Sequence, residues 1–306
     1  MSDGDVLVTA SWNIEHSGID ADGRDDRWEQ AMDVLSGIRP HVFFRQEATD
    51  PARDGGRRLH AEADRLKLLP LPATATPESP NTTVVMIDPD VFAVDAHHVH
   101  TTRMWHPITN PVVRVRGIRQ PLGLASVHLC SYDPAARATE ARRLTVMGDH
   151  GRHALFAGDM NSYVHRPDDE THPLPVWTRI ADPVHYQHRT IERNGVRVND
   201  DEPDRILAGR PPGANSIFTE LGHHAATQLG QHDALTPTAT LWRKDQGTPQ
   251  RIDRFYGTRP FADALLDFTV RDDDEVRQVS DHALVIATFS LPILRHSLAN
   301  PTDRTQ

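Results

Sequence analysis

The chain has a single cysteine, Cys130. An intrachain disulfide is therefore excluded, and nothing demands an oxidising compartment. No run approaches the ~18 apolar residues of a membrane span. The start, Met1-Ser2-Asp3-Gly4-Asp5, is acidic with no apolar signal core behind it. A cytoplasmic, monomeric protein is expected. Positive charge is also short: 33 basic residues stand against 43 acidic ones, for a formal charge of −10. Affinity built on broad neutralisation of a phosphate backbone is disfavoured. The sequence lacks a P-loop, a Gly-x-Ser-x-Gly elbow and a cysteine pair, so NTPase, serine hydrolase and zinc-finger readings have no support.

What the chain does have is a repeated local pattern, in which a short apolar run ends in polar groups. Val6 to Ser11 leads into Trp12-Asn13-Ile14-Glu15, and Val42-Phe43-Phe44 leads into Arg45-Gln46-Glu47. Leu122 to Leu129 carries His128 near its end, and Ala154 to Ala157 runs into Gly158-Asp159-Met160-Asn161-Ser162. In extended chain, residues two apart point the same way, so Asn13 with Glu15, and Asp159 with Asn161, are expected to share a face. Read alone, Asp-x-Asn-Ser is equally a turn, and His128 equally a satisfied core residue. With 19 histidines in the chain, no single one is informative. Asp253 sits inside the strand-like run 251–257, where an unpaired charge is costly, so it needs a partner. Arg251 and Arg254 are both available.

Helical spacing marks Trp28–Ile38, Leu59–Leu69 and Pro134–His150, and a helix opened by Ser216 is expected over 216–228. Further strands are expected at 84–87, 91–99, 111–115, 261–270 and 283–291. Residues 70–83 read as a proline-rich loop, 101–111 as an irregular loop and 271–275 as an acidic loop. Residues 163–215 read as a long excursion with short helical pieces near 175–180 and 204–207. No repeat or linker divides the chain, so residues 1–295 form one domain, followed by a polar, frayed tail at 296–306. Short strands alternating with a few helices suit two packed sheets covered by helices.

The strand-end groups are Asn13, Glu15, Glu47, His128, Asp159, Asn161, Asp253, Asp281 and His282. Hard oxygen donors of this kind suit Mg²⁺ or Mn²⁺ better than zinc, and the histidines suit proton handling. The blocks Ser11-Trp12-Asn13-Ile14, Gln46-Glu47, Val127-His128-Leu129, Gly158-Asp159-Met160-Asn161-Ser162, Arg251-Ile252-Asp253 and Ser280-Asp281-His282 resemble, in this order, the motifs of the endonuclease/exonuclease/phosphatase superfamily, the DNase I-like fold.

The resemblance implies an α+β, four-layer α/β/β/α sandwich of two mixed sheets flanked by helices. It implies Glu47 as principal ligand of a Mg²⁺ or Mn²⁺ ion, with Asn13 and Asp281 close by and Glu15 near it. Asp159 would activate the attacking water, and Asn161 would hold the phosphate. His282, its ring held by Asp253, would donate to a phosphoryl oxygen, and His128 would be a second donor. The implied activity is metal-dependent phosphoester hydrolysis, with a diester such as nucleic acid as the first substrate class. A phosphomonoesterase and a non-catalytic binding protein are the alternatives. The 103–119 segment, with Arg103, Trp105, His106, Arg114, Arg116 and Arg119, is the nearest candidate for a substrate-binding basic face. Arg103 and Arg119 are its candidate contacts.

Overall fold

Phe43 and Phe44 are neighbours in sequence, yet they finish in different cores. Successive residues of a strand point to opposite faces, and here both faces are covered, which is why the strands read as continuous apolar runs. The computed structural model describes residues 5–180, 182–210, 215–242 and 248–299.

The first half contains β1 (Val6–Asn13), α1 (Asp26–Ile38), β2 (Val42–Thr49), α2 (Arg57–Leu66), β3 (Leu69–Pro72), β4 (Asn81–Ile87), β5 (Phe92–His100) and β6 (Ile108–Val115). The middle holds β7 (Leu122–His128), α3 (Pro134–Leu144), β8 (His153–Asp159), α4 (Pro183–Arg189), β9 (Thr190–Arg193), β10 (Val196–Asn199) and α5 (Glu202–Ala208). The rest comprises β11 (Thr219–Glu220), α6 (Leu221–Gln228), β12 (Asp253–Gly257), α7 (Arg259–Ala264), β13 (Leu265–Arg271), α8 (Asp274–Arg277), β14 (Leu284–Ser290) and α9 (Leu291–Ala299).

Among the described residues two six-stranded sheets form, in the orders β13-β14-β1-β2-β4-β3 and β11-β12-β8-β7-β6-β5. Each has one parallel pair at its heart, β1 with β2 and β7 with β8, and antiparallel neighbours outside. Helices α1 and α3 make the two crossovers. The core between the sheets includes Leu7, Phe44, Val85, Leu124, Leu155, Ala157, Phe255 and Phe289. Outside the first sheet, Trp12, Phe43 and Met86 meet Trp28, Met32 and Leu35 of α1. Outside the second, Val127, Phe156 and Tyr256 meet Ala141 and Leu144 of α3 and Leu207 of α5. The result is the four-layer α/β/β/α sandwich.

Several local expectations are corrected. The proline-rich stretch contains β3, an edge strand, the one place in a sheet where Pro70 and Pro72 are tolerated. The excursion after residue 163 is largely structured: β9 and β10 form a hairpin over Asn194-Gly195, both in the left-handed region (φ 56° and 76°), the signature of a tight primed turn. Within it, 177–179 is only a single 3-10 turn, while α5 covers the piece expected at 204–207. Helix α6 starts at Leu221 with Glu220, not Ser216, as its cap, accepting from the N–H groups of Gly222 and His223. Residues 259–264 are helical before β13 begins, and 274–277 is a helical turn capped by Asp273. Helix α3 stops at Leu144 and gives way to 3-10 turns. The tail is not frayed at 296: α9 continues to Ala299 and buries Leu294 and Leu298 in the central core. Residues 300–306 lie outside the described residues. No helix among the described residues is long and apolar enough to cross a membrane.

Candidate active site

Both parallel pairs end at one edge of the sandwich. Strands β1 and β2 bring Asn13 and Glu47 there, and β7 and β8 bring His128 and Asp159. In the second sheet His128 lies beside Asp159 on one flank, and Asp253, the first residue of β12, on the other. Asp281 and His282 arrive from the turn ahead of β14. Gln46 joins the sheets beneath them, donating to Ser126 Oγ at 2.9 Å.

The backbone is bent to achieve this. Glu47 has φ 54° and sits where the β2–β4 register shifts between Arg45 and Ala48. Such a bulge re-aims a side chain and costs local strain. Gly158 has φ 146°, and a Cβ there would lie 1.9 Å from the Val127 carbonyl oxygen. Only glycine allows β7 and β8 to pair so closely just before Asp159. Asn161, at φ 49°, closes a turn in which its N–H donates to Asp159 Oδ1 at 2.8 Å. The stretch is therefore a turn as well as a candidate site, and Asp159 and Asn161 meet through that turn rather than by extended-chain alternation.

Asp159 is the centre. Its Oδ2 lies 3.4 Å from Asn13 Nδ2, 3.5 Å from His128 Nε2 and 3.9 Å from His282 Nε2. Burial disfavours its charge, but His128, His282, Arg189 and the Asn161 N–H outweigh burial and hold its pKa below the ordinary carboxylate value. His282 Nδ1 is 2.9 Å from Asp253 Oδ2. Burial opposes the imidazolium there too, yet Asp253, then Asp159 and Asp281, raise its pKa to about 10. Asp253 thus has its partner, and the two arginines are engaged elsewhere: Arg251 with Glu170 and Glu220, Arg254 with Ser162. His128 goes the opposite way, pushed down to about 4 chiefly by burial. Its ring stacks on His106 at 4.0 Å between centroids.

Glu47 Oε2 accepts the His16 N–H at 2.9 Å, and Oε1 is 3.5 Å from Asn13 Nδ2. Asn13 Oδ1 is buried and has no hydrogen-bond partner among the described residues. An amide set between two carboxylates with an orphaned oxygen fits a cation: with the amide turned over, Oδ1 would share a positive ion with Glu47. Asp159, Asp253 and His282 also offer one donor atom each within 4.8 Å of one another. Within this group His282 Nδ1 is engaged by Asp253, which leaves Nε2 facing Asp159.

Not every expected residue joins. The strand ends at Asn13, and Glu15 opens a 3-10 turn instead, with its carboxylate 3.8 Å from Arg27. Arg119 lies in the turn before β7, a strand length of about 20 Å from His128. Arg114 pairs with Asp95 and Arg116 with the Pro89 carbonyl, so no continuous basic face forms. Arg103 stays near the site, on the wall of an adjoining cavity. Asp281 is buried beside His282. Sequence reasoning missed Arg189, the last residue of α4, whose Nη1 donates to the Asn161 carbonyl at 2.6 Å. No motif or periodicity marks it.

No family model matches the chain, and no curated protein matches it by sequence. Solved structures do. An AP endonuclease from Archaeoglobus fulgidus superposes with TM-score 0.62 at 14% identity, covering 93% of this chain and 100% of that one. ANGEL2, a 2′,3′-cyclic phosphatase, gives 0.60 at 12% identity, with 93% and 95% covered. D. rerio TDP2 complexed with single strand DNA product gives 0.58 at 18% identity, with 93% and 98% covered. At such identities the likeness establishes the fold. That fold is the four-layer, DNase I-like sandwich.

Proposed function

We propose that the protein is a metal-dependent phosphoesterase that hydrolyses P–O bonds, with phosphodiesters, nucleic acid among them, as its first substrate class. The observation that carries this reading is the convergence on Asp159 Oδ2 of Asn13, His128 and His282 from three separate segments. A binding protein has no need to concentrate a carboxylate and two imidazoles of opposite protonation in a buried spot. The three structures above, named as an endonuclease, a cyclic phosphatase and a DNA-product complex, give the same direction.

Glu47 and Asn13, with Asp281 adjacent, are the residues that would hold Mg²⁺ or Mn²⁺. Such an ion supplies charge neutralisation at the non-bridging oxygens when bound. Asp159 accepts a hydrogen bond from water and aims its lone pair at phosphorus. Its lowered pKa makes it a weak base, so positioning is its larger contribution. His282, cationic and gripped by Asp253, donates from Nε2 to a phosphoryl oxygen. Neutral His128 offers a second donor, and Asn161, anchored to the Leu129 carbonyl at 3.0 Å, retains one amide hydrogen for the phosphate. Arg189 holds the Asn161 loop in place.

The test is hydrolysis of bis-p-nitrophenyl phosphate, p-nitrophenyl phosphate, plasmid DNA and RNA with Mg²⁺, Mn²⁺ or EDTA. Diester cleavage that vanishes in EDTA and returns with metal is expected. Cleavage of the monoester alone would replace the diesterase by a phosphomonoesterase. Silence toward every ester would leave only a binding role.

A further inference from the structure

Beside the catalytic edge lies a cavity of about 710 Å³, bounded by the 101–105 loop and the 130–140 segment. That volume falls among small-molecule sites. Two aromatic rings dominate it, Trp105 and Tyr132, set edge to face with centroids 4.8 Å apart. Tyr132 is 43% exposed, so much of its ring is open to a ligand.

The cavity is coupled to the reacting position by a short run of rings. Trp105 is 6.1 Å from His106, His106 stacks on His128 at 4.0 Å, and His128 Nε2 is 3.5 Å from Asp159. Its walls are also held in place. The buried Glu140 carboxylate accepts the Trp105 N–H at 2.6 Å on one side and the Cys130 N–H at 2.7 Å on the other. Arg137 Nη1 binds the Cys130 carbonyl at 2.6 Å. A platform fixed in advance loses little entropy on binding a flat ligand.

We propose that this cavity seats an unpaired nucleobase of the substrate, stacked on one of the two perpendicular rings, Trp105 and Tyr132, with the other against its edge, while the adjoining phosphate lies at Asp159. The inference rests on the phosphoesterase reading and narrows it to single-stranded or unpaired nucleic acid. Three observations favour a base. The chain's charge of −10 leaves little affinity to be gained from the backbone, so binding needs a non-electrostatic source. Aromatic faces stack with any base. Thr102 and Thr139 on the walls supply hydroxyls for base edges, and Arg103, with no ion-pair partner among the described residues, stands ready for a flanking phosphate.

The experiment measures binding by fluorescence anisotropy of the full chain in EDTA, so that no turnover intervenes. The probes are labelled single strands of about eight nucleotides: DNA, RNA, and DNA abasic throughout. Base-bearing strands should bind ~10-fold or more tightly than the abasic one, and the ratio should survive added salt even as absolute affinity falls. Trp105→Ala and Tyr132→Ala should each shrink the ratio, and Trp105→Phe should restore most of it. A ratio present with only one of DNA and RNA identifies the sugar that fits. Equal binding of abasic and base-bearing strands by the wild type overturns the proposal, as does a ratio unchanged in both alanine variants. Hydrolysis of bis-p-nitrophenyl phosphate is read in parallel with metal present. Its absence condemns the phosphodiesterase reading, whereas its presence alongside equal binding condemns only the base site.

Discussion

His282 and Asp253 are 29 positions apart in sequence and 2.9 Å apart in space, Nδ1 to Oδ2. The contact answers the charge buried in β12 and fixes which imidazole nitrogen faces Asp159. It also keeps the ring protonated well above neutral pH. Replacing Asp253 by Asn keeps the shape and removes the charge, so the imidazolium loses its main support and the partner that fixes its ring. Diester hydrolysis should fall about 10²-fold or more, with KM moving less than kcat. An unchanged rate would remove His282 from the chemistry.

Arg137 joins the excursion to the sandwich. It is fully buried, paired with Asp200 at 2.8 Å, and binds the carbonyls of Cys130 and His188. Arg137→Met strands the Asp200 carboxylate and should cost about 3–5 kcal/mol, read as a lower urea midpoint. Proteolysis should then cut first within 163–210.

Legibility tracked the reach of each constraint. Strands β1, β2, β7 and β8 were readable because both their faces are buried, which leaves long apolar runs, whereas their parallel pairing was not. Asn13, Glu47, His128 and Asp159 were readable as polar groups at the ends of those runs, Asp253 as a charge inside a strand-like run, and His282 as a polar group ahead of one. Hairpin β9–β10 went unread: Asn194-Gly195 is a turn signal, but the polar strands around it carry no alternation. Burial patterns are weak there because Val196, for one, is 60% exposed. Arg189 was invisible because its role depends on one long-range contact with the Asn161 carbonyl. Glu15 misled because the strand stops two residues sooner than extended geometry assumes.

Asp204 gives a pH signature away from the site. Burial raises its pKa, but His165, Arg254 and Tyr256 outweigh burial and hold it far below the ordinary value. A depressed carboxylate contributes stability that is fully present above its unfolded pKa near 3.8 and fades as pH falls through the folded value. Asp204→Asn should therefore destabilise the protein at pH 7, and the gap to wild type should narrow below about pH 4. Urea titrations at pH 7, 5 and 3.5 check the sign. A gap independent of pH would mean that the charge of Asp204 contributes nothing.

Gly158→Ala places a methyl 1.9 Å from the Val127 carbonyl oxygen. Since β7 and β8 must separate to admit it, a loss above about 4 kcal/mol or insoluble expression is expected. Soluble protein with an unshifted melting temperature would show that the strands can move apart freely.

The most direct measurement is the metal-dependent rate of bis-p-nitrophenyl phosphate hydrolysis by wild type and Asp159→Asn, each with its melting temperature. Because the neighbours of Asp159 favour its charged form, the variant should melt somewhat below wild type at pH 7 while remaining folded. Its rate should be lower by about 10³-fold or more. A variant that melts as expected yet retains its rate would contradict the placement of Asp159 at the centre of the reaction.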